Sequence, residues 1–175
     1  MVLRYDTYLT IGMGSKVRIL VSGAGIAGLS AAIDLGADGH DVTIVERADH
    51  LRVNGSPIDI RGDAIEVAEK MGVLGAIRDR RIDMTERVQF VDGHGAVVAE
   101  LPLEEINDSA DDIEIPREDL TNILYRQLGP SVELRFAESV TGLDADDRGV
   151  DILFASGVRD RYDVVIGADG MHSAV

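Results

Sequence analysis

Six consecutive residues and one acid carry the chemistry this sequence offers most openly. Gly23-Ala24-Gly25-Ile26-Ala27-Gly28 is a GxGxxG run, and Glu46 stands 18 residues beyond its last glycine. In a dinucleotide-binding turn the first glycine permits a tight turn, the second lets a pyrophosphate reach the backbone, and the third lets a helix lie close to the strands. An acid about 20 residues further on accepts hydrogen bonds from the ribose hydroxyls of an adenosine. Glycines alone serve equally well to pack a helix on a sheet with no ligand, so the flanking elements matter. Val17–Val21 (VRILV) is the short apolar run of a strand buried on both faces. Residues 26–35 are rich in Ala, Leu and Ile and form a helix, ended by Gly36 and Gly39. Val42–Val45 (VTIV) is a second buried strand leading into Glu46. Residues 17–46 therefore make one βαβ unit with a right-handed crossover, and its helix offers free N–H groups and a partial positive charge to phosphates.

Arg117 is the next candidate. It follows Pro116 at the start of a helix over 118–128, where the macrodipole favours Glu118 and Asp119 and disfavours a cation. A cation there calls for an electron-rich ligand or a neighbouring acid. Leu120, Ile123, Leu124 and Leu128 share one face of that helix, and Gly129-Pro130 ends it. Earlier, residues 47–61 are expected as an irregular loop, 62–71 as a helix capped by Gly72, and 87–92 with 96–101 as a hairpin around Gly93-His94-Gly95. Residues 104–114 are acidic and expected as a surface loop. Strands follow near 132–136, 139–144, 150–154, 158–162 and 163–166. A nicotinamide-binding domain would carry on as βαβαβ. The loop, helix, hairpin and meander after Glu46 favour FAD instead. The four histidines, at 40, 50, 94 and 172, have no metal-ligand spacing, and no nucleophile elbow or Walker lysine is present. No catalytic side chain and no metal site are assigned.

The chain has 175 residues and a formal net charge of −15, with no cysteine. Nucleic acid is a poor partner for such an acidic chain, because that affinity rests on cations meeting phosphates. An anionic membrane surface is excluded on the same ground, and no stretch approaches the ~20 apolar residues of a bilayer span. The lack of cysteine rules out disulfides and thiolate metal sites and fits a cytoplasmic location. Residues 1–16 are expected as a loose leader, with Met13 as an alternative start.

Three separated segments resemble the FAD-dependent monooxygenases of the para-hydroxybenzoate hydroxylase fold. The first is Ile19–Leu29 continuing to Gly39-His40-Asp41-Val42-Thr43-Ile44-Val45-Glu46-Arg47. The second is Ile115-Pro116-Arg117-Glu118-Asp119-Leu120. The third is Asp163-Val164-Val165-Ile166-Gly167-Ala168-Asp169-Gly170-Met171-His172-Ser173-Ala174-Val175. Residues 52–60, around Asn54-Gly55 and Pro57, are most similar to the tetracycline-inactivating members.

The resemblance implies an α/β, Rossmann-like FAD-binding domain over 17–175, with an inserted β-hairpin and meander. Strands of a substrate domain would begin near 87–101, and the fold would be incomplete at its C-terminus. It implies FAD as cofactor, NADPH or NADH as reductant, and a small aromatic or polyketide-like organic substrate. Arg47 would lie along the adenosine, while Asp59, Arg117 and Asp169 would contact FAD. Arg52, seven residues before Asp59, would serve the nicotinamide cofactor. A solvated loop arginine remains the alternative for Arg52 and Arg47, a turn carboxylate for Asp59 and Asp169, and an ion-paired arginine for Arg117. Because the resembled family continues well beyond residue 175, the chain is expected to expose an edge, to self-associate or to need a second chain for the missing half. Two other readings stay open: a non-catalytic FAD-binding fragment and a nicotinamide-dependent dehydrogenase domain.

Overall fold

The computed structural model describes residues 15–52, 55–82, 87–102 and 111–170. The chain divides into two compact units, Met1–Arg52 with Leu124–Val175, and Val53–Ile123. Most of the leader, most of the acidic 104–114 stretch and the end of the third motif lie outside the described residues.

The first unit is built on four parallel strands in the order β11-β1-β2-β7. These are β1 (Arg18–Ser22), β2 (Asp41–Glu46), β7 (Val132–Phe136) and β11 (Val164–Gly167). Ile19, Leu20 and Val21 are all fully buried, which is why β1 reads as an unbroken apolar run. Helix α1 (Ile26–Ala37) covers one face through Gly28, Leu29, Ala32 and Ile33. Val21 points towards it, lying near Gly28. The next side chain back, Leu20, points to the other face, as strand alternation requires. There it joins Val45 and an antiparallel meander, β8 (Val140–Asp146), β9 (Gly149–Phe154) and β10 (Arg159–Tyr162). Val140, Ile152, Phe154 and Tyr162 complete this core, with Phe154 and Tyr162 packed edge to face at 6.4 Å.

In the second unit β3 (Ile58–Ile60) pairs antiparallel with β6 (Ile113–Ile115), and β4 (Arg87–Val91) with β5 (Val97–Pro102). Helices α2 (Asp63–Lys70) and α3 (Leu74–Arg78) bury Ala68, Leu74 and Ile77. Helix α4 (Arg117–Arg126) starts in this unit, and its residues from Leu124 on belong to the first. Two expectations are corrected here. Residues 58–60 belong to a strand, not to an irregular loop, and residues 113 and 114 to a strand that runs on to Ile115, not to a surface loop. Three-residue strands are too short to show a period of two, and each exists because the other supplies its backbone partners. Helix α3, five residues long, was not expected at all. Among the described residues no helix is long and apolar enough to cross a membrane.

Candidate cofactor site

The glycine turn lies where the parallel sheet changes direction. From β1 the chain crosses to β2 on one side, while β11 pairs on the other. In open α/β sheets the crevice at the carboxyl ends of strands flanking such a point is where ligands bind. Gly23 closes the end of β1: its N–H donates to the Val45 carbonyl at 2.8 Å, and the Ala168 N–H donates to the Ser22 carbonyl at 2.8 Å. Gly23 has φ of +109°, a conformation that excludes side chains. A Cβ there would also sit 2.5 Å from the Ala168 carbonyl oxygen and 2.9 Å from the Asp169 Cα. Asp169, half-buried, is thus brought to the glycine turn from 146 residues away in sequence.

Gly25 is the N-cap of α1, with ordinary φ and ψ of −75° and −179°. The first turn carries no acid and no side chain caps it, so the N–H groups ahead of Leu29 face outward without a partner from the helix ladder. Ile26, Ala27 and Gly28 form that turn. Gly28 is required by packing: a Cβ would lie 1.9 Å from the Gly23 carbonyl oxygen.

Glu46, at the end of β2, is buried. Its Oε2 accepts the Ala24 N–H at 3.0 Å, and its Oε1 accepts the Ala48 N–H at 3.0 Å. The acid therefore stitches the end of β2 to the glycine turn, with lone pairs left on both oxygens for further donors. The Arg52 guanidinium lies 3.9 Å from Oε1, so Arg52 stands at the acid that the resemblance assigns to the adenosine. Arg47 is exposed just beyond β2.

The other two expected residues lie in the second unit. Arg117 is exposed at the start of α4, and its carbonyl accepts the Thr121 hydroxyl at 2.8 Å. Its side chain runs over Gly55, where a Cβ would come within 2.7 Å of Cδ. Asp59 projects from β3 and accepts from Arg61 at 2.9 Å. Ala48, Gly55 and Arg61 were not anticipated. A backbone donor, a contact made by a missing side chain and a charge two residues from another leave no signature in a sequence.

A family model described as an FAD binding domain matches residues 16–175. The chain belongs to the FAD-binding-domain family. An uncharacterized protein of Mycobacterium tuberculosis is 39% identical over 160 residues, covering 90% of this chain and 43% of that protein. A flavin-dependent monooxygenase of Legionella longbeachae is 35% identical over 164 residues, covering 93% of this chain and 42% of that protein. Among solved structures, tetracycline destructase Tet(51) superposes with a TM-score of 0.79 at 38% identity, over 91% of this chain and 40% of that one. The chain thus spans about two fifths of the length of these relatives.

The turn of this FAD-binding domain fits the pyrophosphate of a dinucleotide, and Gly25 is the test. Its backbone conformation suits any residue, and among the described residues no heavy atom beyond Gly25 and its two chain neighbours lies within 4 Å of where its Cβ would be. Neither strain nor packing accounts for a glycine here. The open space above an uncapped, acid-free helix start leaves room for a ligand, and glycine also suits the N-cap position.

Proposed function

We propose that the chain binds FAD through β1, α1 and β2, and that the whole protein is an NAD(P)H- and O₂-dependent monooxygenase of a small organic substrate, aromatic or polyketide-like. The open space at Gly25 carries the reading. The N–H groups of the first turn of α1 bind the pyrophosphate, Glu46 accepts from the adenosine ribose, and Arg47 lies beside the adenosine. Asp59, Arg117 and Asp169 contact the flavin portion, by resemblance. Arg52 serves the nicotinamide cofactor, which requires it to leave the position beside Glu46 that it holds here. Bound FAD would supply the redox chemistry, taking electrons from NAD(P)H and delivering one oxygen atom of O₂ to the substrate. The side chains bind, orient and exclude water. A cytoplasmic location goes with use of a nicotinamide reductant.

Connectivity argues against a dehydrogenase domain. The strand beside β2 is β7, reached only after residues 47–131, instead of directly through a second βα unit. Titration of the purified chain with FAD, ADP and NAD tests the reading. FAD is expected to bind tightest, ADP more weakly through the shared adenosine and pyrophosphate, and NAD weakest. Preference for NAD over FAD would overturn it.

A further inference from the structure

We propose that Arg61 is a positioning residue for the Asp59 carboxylate, held in place by the buried acid Asp112. This deepens the reading above and rests on its assignment of Asp59 to the flavin. The β3–β6 ladder sets Asp59 directly opposite Glu114, with Ile60 opposite Ile113. Two acids facing each other across a two-stranded ladder repel, so local strand energetics do not explain Asp59. Residues that break a local rule in this way are expected at functional sites. Arg61 resolves the conflict. Its Nη2 donates to Asp59 Oδ2 at 2.9 Å, and its Nε lies 3.3 Å from Asp112 Oδ2, an ion-pair contact without hydrogen-bond geometry.

The two acids differ sharply in exposure. The Asp112 side chain is 4% exposed and that of Asp59 45%. An exposed ion pair between residues two apart holds little by itself, because its entropy cost cancels its attraction. A buried carboxylate, by contrast, strongly demands its cation. Asp112 therefore holds one side of a planar guanidinium by charge, and the rigid group presents its other edge to Asp59. The outcome is an exposed carboxylate paired with a guanidinium and aimed in one direction. This is what a cofactor contact needs and what a solvated acid does not.

The test is a double-mutant cycle on FAD affinity, using Asp59→Asn and Arg61→Gln in the 175-residue chain with thermal unfolding recorded in parallel. Asp59→Asn is expected to weaken FAD about tenfold, the loss of one partly exposed charge-assisted contact. Arg61→Gln is expected to weaken it by a similar factor, and the double variant by no more than either alone. Losses that multiply would overturn the proposal, since Arg61 would then act on FAD independently of Asp59, for example as a cation near the pyrophosphate. So would wild-type affinity in Arg61→Gln beside a weakened Asp59→Asn. Wild-type affinity in Asp59→Asn removes the assignment of Asp59 itself, and the proposal with it. If Arg61→Gln loses its cooperative transition, Arg61→Lys takes its place. Lysine keeps the charge but not the fork, and the same non-additivity is expected.

Discussion

Gly25 and Gly28, three residues apart, separate a proposed ligand requirement from a packing requirement. Gly28→Ala drives a methyl group to within 1.9 Å of a backbone carbonyl, so the first turn of α1 must leave the sheet. Loss of soluble, cooperatively folding protein is expected. Gly25→Val meets open space. Because valine is a poorer N-cap than glycine, its stability in urea should fall by about 1 kcal/mol at most, while FAD affinity in calorimetry falls at least tenfold. Equal FAD binding by wild type and Gly25→Val would sink the pyrophosphate assignment. Glu46 combines both requirements. From its type and spacing it is proposed as a ribose acid, for which Glu46→Ala should weaken FAD by about 1.5–3 kcal/mol and leave riboflavin, which has no adenosine, almost unaffected. The structure adds a second consequence, because both oxygens already accept backbone N–H groups. Glu46→Gln offers one oxygen for two donors and turns its NH₂ on the other. That mismatch should cost about 1–3 kcal/mol of stability even with no ligand present. A variant as stable as wild type would mean that the Ala24 contact is incidental.

At the scale of elements, what was legible followed from periodicity and length. The β1–α1–β2 unit, the hairpin and the five later strands each repeat a pattern long enough to see, and all fall within two or three residues of expectation. Strands β3 and β6 and helix α3 were missed because three to five residues carry no period. Their formation depends on partners distant in sequence, Ile58 to Ile115 across 57 residues. The meander illustrates the same limit in packing. Alternation gives β9 an inward face, but only the fold shows that Phe154 lies on the sheet face opposite α1, against Tyr162. Phe154 is 1% exposed, so Phe154→Ala should cost about 3–5 kcal/mol. Against the ~5–15 kcal/mol total of an ordinary domain, that is a large fraction. The cost should appear as a lower urea midpoint, with FAD affinity of the remaining folded protein unchanged, since Phe154 takes no part in the turn. A stability loss under about 1 kcal/mol would mean that the meander contributes little to the first unit.

For the whole molecule the balance of charge sets the response to salt and acid. Thirty-two acids face 17 Lys and Arg, so self-repulsion in the compact state opposes the local ion pairs. The pairs are mostly exposed: Arg161 forks to Asp146 and Asp151, each more than half exposed, and Lys16 meets Asp41 at the surface. Exposed pairs contribute about 0–1 kcal/mol each, whereas a net charge of −15 acts over the whole surface. Raising ionic strength from 0.01 to 0.15 M shortens the screening length from about 30 to 8 Å. That removes long-range repulsion and leaves contacts at 2.8 Å largely intact. Tm at pH 7 should therefore rise with salt, and a fall would show that the ion pairs dominate. Acid acts differently. Arg18 holds the Asp160 carboxyl below its usual range, Arg135 does the same for Glu133, and the Ser156 hydroxyl, with the Ser139 and Ser156 backbone N–H groups, for Glu138. A carboxyl depressed in the folded state stabilises it fully above its unfolded pKa, about 4. That contribution is lost as pH falls through the lower folded value. Between pH 7 and 5 these groups stay ionised, so Tm should be nearly flat. Below about pH 4 they protonate while Arg18 and Arg135 keep their charge, the net charge reverses sign, and Tm should drop steeply. A Tm that climbs steadily from pH 7 down to 3 would mean that relief of the negative charge outweighs the loss of these contacts.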